Sequence, residues 1–515
     1  MRKVMWSLMG CLALLAAHGA RADAAGTALR TPLATDGARI VDADGRTAVL
    51  QGVNWFGFET SNHVVHGLWT RDYRDVLVQI RQLGFNSIRL PFSLEALEAR
   101  SVSGVDFSSG RNAALRGRTP LQAMDVVIDE AARQGLVILL DNHSAPDDGY
   151  TDPLWYGRGY AEDDWVEAWR GLAARYADRP NVIGADLKNE PHGAATWGTG
   201  GATDWRRAAQ RAGNAVLAEA PHWLIVVEGI EGKVEGQRLD RHWWGGNLEG
   251  VRRHPVRLAR TGRLVYSPHE YGPGVFPQPW FSDPRMASIL EDRWQKGFGY
   301  LLDEKIAPVL VGEFGGRRVD QSSTEGRWQR QFFDFLGRRG ISWTYWALNP
   351  NSGDTGGILA DDWTKVDAPK VALLQQLIRR RRIESGAANP QAPAPPAPQP
   401  APRPEPPVLG PPAPPPPAVR ALQARFVVEN RWDGGSCGHL EVAAPSPTKL
   451  GGARVAFRLP AGTRIAQSWN AELSGATGRV SATLPAWAKS EAGAAYAATG
   501  FCLEGAGAPT ELSVG

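Results

Sequence analysis

Residues 386–417 are almost entirely proline and alanine, broken mainly by a few Gln, Glu and Arg. Such a segment has no apolar periodicity to bury and loses a backbone donor at every proline. It cannot sustain a helix, a sheet or a core. It predicts an extended, semi-rigid polyproline spacer. A chain interrupted in this way folds as at least two bodies, and 515 residues is in any case more than one core usually holds. The expected boundaries are a large domain over 25–385, the spacer over 386–420 and a smaller body over 421–515.

The first 24 residues read as a secretory signal. Arg2 and Lys3 supply the positive start, residues 6–17 are apolar, and Ala20-Arg21-Ala22 or Ala22-Asp23-Ala24 offers small-residue cleavage sites. The apolar run is too short to span a bilayer comfortably, and no other stretch is apolar for long enough. Cys11 leaves with the signal, so Cys437 and Cys502 remain of three cysteines. Whether they pair depends on geometry that spacing does not supply. Hydrophobic residues at 43% and charged residues at 22% are those of an ordinary soluble globular protein. A net charge of +3 is too close to neutral to argue for nucleic acid or an anionic membrane, and neither is expected as a partner. The one dense basic run, Arg379 to Arg382, follows an apolar-periodic stretch and reads as a helix C-terminus, where cations offset the helix dipole.

Between signal and spacer, strand and helix patterns alternate. A hairpin is expected over 38–50, turning at Asp44-Gly45. Eight short apolar runs follow at 51–55, 86–91, 136–141, 182–190, 223–228, 263–269, 308–313 and 341–346. Helical periodicity falls between most of them, at 73–83, 121–134, 164–176, 204–218, 287–303, 327–338 and 368–379. The Gly-, Arg- and Trp-rich stretch between Glu228 and Arg263 shows no helix. Eight strands alternating with helices predict an α/β fold with a parallel sheet, and at this length a (β/α)8 TIM barrel. In such barrels chemistry gathers at the strand ends. Here the strands end in Asn54-Trp55, Arg89, Asp141-Asn142-His143, Asn189-Glu190, Glu228, His269, Glu313 and Trp346. The segment after the spacer has only short alternating runs separated by Gly, Pro, Ser and Thr, which predicts a small all-β sandwich.

Two carboxylates stand out. Glu190 lies in Leu187-Lys188-Asn189-Glu190-Pro191 and Glu313 in Val311-Gly312-Glu313-Phe314-Gly315, each ending an apolar strand. Burying a carboxylate there without a use is costly. Glycoside hydrolysis needs such a pair, one carboxyl to protonate the leaving oxygen and the other to attack or to activate water. Strand-end salt bridges would explain the same placement. A metal centre is not expected: Asp141, His143 and His269 lack a helical His-Glu-x-x-His pattern, and there is no cysteine cluster. No glycine-rich fingerprint for a phosphate or dinucleotide follows the first strand, and no cofactor is expected. The 20 Trp against 10 Tyr tilt towards carbohydrate, because an indole face stacks on sugar C–H bonds, although tryptophan also fills cores.

The two glutamate motifs resemble the acid/base and nucleophile motifs of glycoside hydrolase family 5. The resemblance continues through Gly52-Val53-Asn54-Trp55-Phe56-Gly57, Ser87-Ile88-Arg89-Leu90-Pro91, Ser267-Pro268-His269-Glu270-Tyr271 and Trp343-Thr344-Tyr345-Trp346. It is nearest to bacterial endoglucanases of the plant-pathogen type, through 54–60, 192–197 and 349–357, and spans about 25–383. It implies a retaining endo-β-1,4-glucanase acting on cellulose through a covalent glycosyl-enzyme. Glu190 would be the acid/base and Glu313 the nucleophile. Asn189 would bind the sugar 2-hydroxyl. Arg89 and Tyr271 would hold Glu313 ionised, and His143 and His269 would line the cleavage subsite. Trp346 would be the sugar platform, with Asn54 and Trp55 binding or supporting. Relatives often carry a second His where Asn142 stands, and cysteines in the barrel where this chain has none.

The C-terminal segment resembles carbohydrate-binding module family 2 through Asn430 to Gly435, Ser468 to Ala471 and Leu484 to Trp487. The resemblance implies a flat cellulose-binding strip of Trp432, Trp469 and Trp487. Ala453 stands where that family usually has a core Trp, and the cysteines are not at the usual module ends. The expected protein is thus a secreted, monomeric enzyme whose partner is cellulose or a related β-glucan. Alternatives are the same chemistry on mannan, xyloglucan or mixed-linkage glucan, or a polysaccharide-binding protein without activity.

Overall fold

The computed structural model describes residues 29–384 and most of 422–514, the exceptions being 433–434, 444–447, 470–471, 485–487, 491–495 and 506. The signal and spacer expected from sequence, and Trp487, lie outside the described residues. The chain divides into two compact units, the division falling within the proline-rich segment.

The first unit opens with a small antiparallel hairpin, β1 (Ala34–Asp36) and β2 (Arg39–Val41). The expected turn at Asp44-Gly45 exists, but it closes only an isolated bridge from Val41 to Thr47. The paired hairpin lies one segment earlier because Gly37, at φ +54°, reverses the chain there at little steric cost.

Eight parallel strands follow: β3 (Gln51–Asn54), β4 (Ser87–Ser93), β5 (Val137–Ser144), β6 (Val182–Asp186), β7 (Leu224–Glu228), β8 (Leu264–Ser267), β9 (Leu310–Val311) and β10 (Ser342–Tyr345). Their order is β8-β7-β6-β5-β4-β3-β10-β9. Parallel bridges Tyr266–Val309 and His269–Glu313 join the two ends of that order and complete the ring. The strands are buried on both faces, as a parallel sheet wrapped by helices must be.

The surrounding helices are α1 (Tyr73–Gln82), α2 (Leu94–Glu98), α3 (Pro120–Arg133), α4 (Glu162–Tyr176), α5 (Trp205–Glu219), α6 (Met286–Trp294), α7 (Tyr300–Asp303), α8 (Thr324–Arg339) and α9 (Ala368–Glu384). Their starts are written locally. Asp72, Thr119, Asp204 and Ser323 accept backbone N–H bonds as N-caps, and Thr119 forms a reciprocal capping box with Gln122; each such cap stabilises its helix by about 1 kcal/mol. On α1 the buried face is Tyr73, Val76, Leu77 and Ile80, the spacing of one helical stripe. The helix expected over 287–303 is interrupted by a π turn at Gln295–Gly299. The segment between β7 and β8 contains only a single 3-10 turn, Glu249–Arg252, among the described residues.

Among the described residues, eight tryptophans, including Trp165, Trp169 and Trp205, are buried with almost no exposure. Much of the tryptophan count is therefore scaffold, and some of it pins strand ends. The indole N–H groups of Trp165 and Trp169 both donate to the Leu187 carbonyl, at 3.0 and 2.9 Å. That of Trp205 donates to the Glu228 carbonyl at 2.9 Å. Left unpaired, each buried carbonyl would cost roughly 1–3 kcal/mol.

The second unit is an all-β sandwich. One sheet orders β11 (Gln423–Trp432), β12 (Gly435–Ala443), β19 (Tyr496–Glu504) and β15 (Arg464–Trp469). The other orders β16 (Glu472–Leu473), β17 (Arg479–Thr483), β14 (Arg454–Arg458) and β20 (Thr510–Val514). A third pair joins β13 (Thr448–Lys449) to β18 (Lys489–Ser490). Phe501 stacks on both Phe426 and Phe457 in its core. Cys437 and Cys502 stand opposite each other in the register of β12 and β19. Trp432 ends β11 and Trp469 ends β15, the two outer strands of one sheet.

Candidate active site

Arg89 is the hub of the barrel mouth. It sits mid-strand on β4, has no exposure, and meets four carboxylates. Its guanidinium lies 2.6 Å from Glu313, 2.8 Å from Asp186, 3.0 Å from Asp141 and 3.1 Å from Glu228. It also donates to the side-chain oxygens of Asn54 and Asn189, each at 3.0 Å. Burial alone would favour a neutral group; the surrounding carboxylates outweigh it and hold Arg89 firmly charged. Asp186 responds the other way. Burial raises its pKa well above the ordinary carboxylate value, with Glu228 and Asp141 adding to the rise and Arg89 opposing it.

Glu313 follows β9. Burial raises its pKa, but His269, Arg89 and His143, with the Tyr271 hydroxyl donating at 2.6 Å, bring it down to about 2. It is ionised throughout the usual pH range. Gly312 before it has no room for a side chain: a Cβ there would lie 2.7 Å from Ser267 Oγ and 2.9 Å from His269 Nε2.

Glu190 follows β6. Its pKa is raised, first by burial and further by Glu313 and Glu228, against the lowering effect of His269. His269 Nδ1 is 3.0 Å from Glu190 Oε1 and 3.6 Å from Glu313 Oε2. Burial would lower the His269 pKa; Glu228 and Glu313 instead carry it well above the usual imidazole value. Glu190, His269 and Glu313 each offer an atom within 4.8 Å of the others. Two neighbouring carboxyls with pKa values driven apart make an acid and a nucleophile. A gap under 5 Å leaves no room for the water that an inverting pair, at about 6.5–9.5 Å, must hold between its members.

The pair opens into a cleft of about 570 Å³ lined by His143, Asn189, Tyr271, Trp346, Trp243 and Trp244, among others. Trp346 stacks on Phe56 at 5.4 Å and on His143 at 5.3 Å, the rings 16° and 7° from parallel. His143 Nδ1 is 2.7 Å from Asp141. The structure brings together Asn54, Arg89, His143, Asn189, Glu190, His269, Tyr271, Glu313 and Trp346. Trp55 does not reach the cleft. It is fully buried and its indole donates to the His66 carbonyl at 3.1 Å, so it supports the wall from behind.

Sequence reasoning passed over Asp186, Trp243, Trp244 and Phe276. Asp186 had a signal, a carboxylate closing a fully apolar strand. Trp244 is 41% exposed and stacks on His192 at 3.8 Å and 5°; Phe276, 54% exposed, lines the same cleft. Both lie on loops without periodicity.

Residues 41–352, more than half of the chain, match the cellulase model of glycosyl hydrolase family 5. The chain belongs to this family. Residues 422–514 match the cellulose binding domain model. Among similar family 5 proteins is an endoglucanase of Paenibacillus polymyxa, 50% identical over 347 residues, which are 67% of this chain and 86% of that protein. The major extracellular endoglucanase of Xanthomonas campestris pv. campestris is 43% identical over 439 residues, 85% and 87% of the two chains. The solved catalytic domain of the Xanthomonas enzyme superposes with a TM-score of 0.63 at 44% identity, covering 67% of this chain and 99% of its own. A cellotetraose complex of the endocellulase from Pyrococcus horikoshii superposes equally, at 41% identity over 68% of this chain and all of its own. No helix among the described residues is long and apolar enough to cross a membrane.

Proposed function

We infer that this family 5 chain is a retaining endo-β-1,4-glucanase that cleaves internal bonds of cellulose, with Glu190 as acid/base and Glu313 as nucleophile. The observation that carries the assignment is the split pair: one carboxyl raised, its neighbour held down to about 2, with oxygens less than 5 Å apart. Glu313 attacks the anomeric carbon while Glu190 gives its proton to the departing glycosidic oxygen. Water then attacks the glycosyl-enzyme, Glu190 takes the water's proton, and Glu313 leaves as carboxylate. Arg89 and Tyr271 hold Glu313 in line. Asn189, whose carbonyl oxygen is occupied by Arg89, turns its amide N–H towards the sugar 2-hydroxyl. His143 and His269 line the cleavage subsite, with Trp346 as the platform beneath the sugar. Asn54 and Trp55 brace this wall.

The remaining organisation belongs to the same proposal. Residues 1–24 direct secretion and are removed, 25–385 form the catalytic domain, 386–420 the spacer and 421–515 the module. The enzyme acts outside the cell as a monomer. The names of the Paenibacillus and Xanthomonas relatives support the glucanase assignment, and the word extracellular in the latter supports secretion. The test is release of reducing ends from soluble carboxymethyl cellulose, with the product anomer read by proton NMR at early times. Release with the β-anomer formed first is expected. An initial α-anomer would rule out double displacement, and no release would reject the glucanase.

Trp432, Trp469 and Trp487 are proposed as the cellulose-contacting residues of the module. Tethering raises the effective concentration of the barrel at the solid, not its chemistry. Trp469→Ala is therefore expected to lower activity on insoluble cellulose, by about 10-fold or more, and to leave the rate on carboxymethyl cellulose unchanged. Equal rates of variant and wild type on the solid would remove Trp469 from the binding face.

A further inference from the structure

Glu190 has a left-handed backbone, φ +50°, although it is neither Gly nor Asn. Such a conformation persists only where the surroundings over-determine it. Here the peptide unit between Asn189 and Glu190 is gripped from both sides by buried charges. Its N–H donates to Glu228 Oε2 at 2.8 Å. Its carbonyl accepts from the Lys188 ammonium at 2.5 Å. Glu228 is fully buried and Lys188 only 1% exposed, so neither contact is screened by solvent. Glu228 also reaches the Glu190 carboxyl by a second route: its Oε1 lies 3.2 Å from His269 Nε2, and His269 Nδ1 is the atom facing Glu190 Oε1.

We propose that Glu228 and Lys188 are positioning residues that clamp the Asn189–Glu190 peptide and thereby aim the Glu190 carboxyl at the leaving oxygen. Neither is among the residues that line the cleft. Both act through Glu190, and the inference rests on Glu190 being the acid/base. The loop after β7 is shaped to the clamp. At Gly245, φ +65°, a Cβ would lie 2.3 Å from Glu228 Oε2 and 3.2 Å from Glu190 Cα, so a glycine backbone closes over this carboxylate. The Trp205 bond to the Glu228 carbonyl fixes the other end of the residue. Lys188 is desolvated, which lowers its pKa, while Asp152, Glu228, Asp141 and Glu190 act to keep it charged.

A residue that aims the acid matters in proportion to how badly the leaving group needs a proton. The experiment therefore compares kcat/KM, which reports the first chemical step, on phenyl and 2,4-dinitrophenyl cellobioside. Glu228→Gln keeps the shape but offers a neutral amide to the peptide N–H and to His269. It is expected to lower kcat/KM on the phenyl substrate roughly 100-fold and on the dinitrophenyl substrate less than about 5-fold. Lys188→Met should show the same split, more weakly, and decides the matter if Glu228→Gln does not fold. Equal losses on both substrates, or no loss, would overturn the clamp while leaving the glucanase intact. Wild-type enzyme inactive on both and on carboxymethyl cellulose would overturn the glucanase assignment and the clamp with it.

Discussion

Glu313→Gln is expected to reduce reducing-sugar release from carboxymethyl cellulose by about 10⁴-fold or more, with the barrel still folded. An amide cannot form the glycosyl-enzyme, and removing a covalent nucleophile costs more than any binding contact does. The comparison is made at matched protein concentration, with circular dichroism to show that the variant is folded and calorimetric titration with cellotetraose to show that the cleft still binds. Activity above about a tenth of wild type would take the nucleophile role from Glu313.

The same residue predicts a pH signature. Its folded pKa, about 2, lies below the ordinary 4.5. Its ionised form therefore contributes stability that is fully present above about 4.5 and is lost as pH falls towards 2. Glu190 is shifted the other way, so the form with Glu313 ionised and Glu190 protonated extends to higher pH than ordinary carboxyls would allow. The alkaline limb of kcat/KM belongs to Glu190 and the acid limb to Glu313.

Arg89→Leu should be the most damaging substitution for stability. Breaking a buried ion pair by removing one partner typically costs about 3–5 kcal/mol, because the surviving charge is left uncompensated. Here one guanidinium faces Asp141, Asp186, Glu228 and Glu313 together. Urea unfolding of the variant is expected to show a loss at the upper end of that range or no folded protein. Arg211→Ala is the contrast. Its contacts with Glu162 and Asp163 are on the surface, with its own side chain about half exposed, and such pairs contribute about 0–1 kcal/mol. Similar losses for the two variants would mean that the Arg89 cluster is not the electrostatic keystone of the mouth.

How much of this was legible beforehand follows from the range of each interaction. The eight alternating strands are local patterns a few residues long, and each appears in the structure close to where the pattern stands. Strand-end placement put Glu190 and Glu313 among the candidates with Asp141 and Glu228, and the resemblance of their motifs to those of glycoside hydrolase family 5 singled them out. The hairpin slipped by one segment because two glycine turns compete within ten residues. Trp55 pointed into the wall, since an indole at a strand end fits a core as well as a cleft. Trp243 and Trp244 sit on a loop with no periodicity, so no local signal marked Trp244 as an exposed stacking surface.

The amino-acid order by itself therefore determined which residue types arrive at the barrel mouth, because strand length and alternation are short-range properties of the chain. Only the tertiary structure decided what those residues do to one another. Arg89 and Glu313 meet across 224 residues of sequence, and Arg89 and Glu228 across 139. Those meetings, among largely buried side chains, make one glutamate neutral-leaning and the other ionised. A pKa is set by burial and by neighbouring charges in space, and the neighbours in space are not the neighbours in the chain.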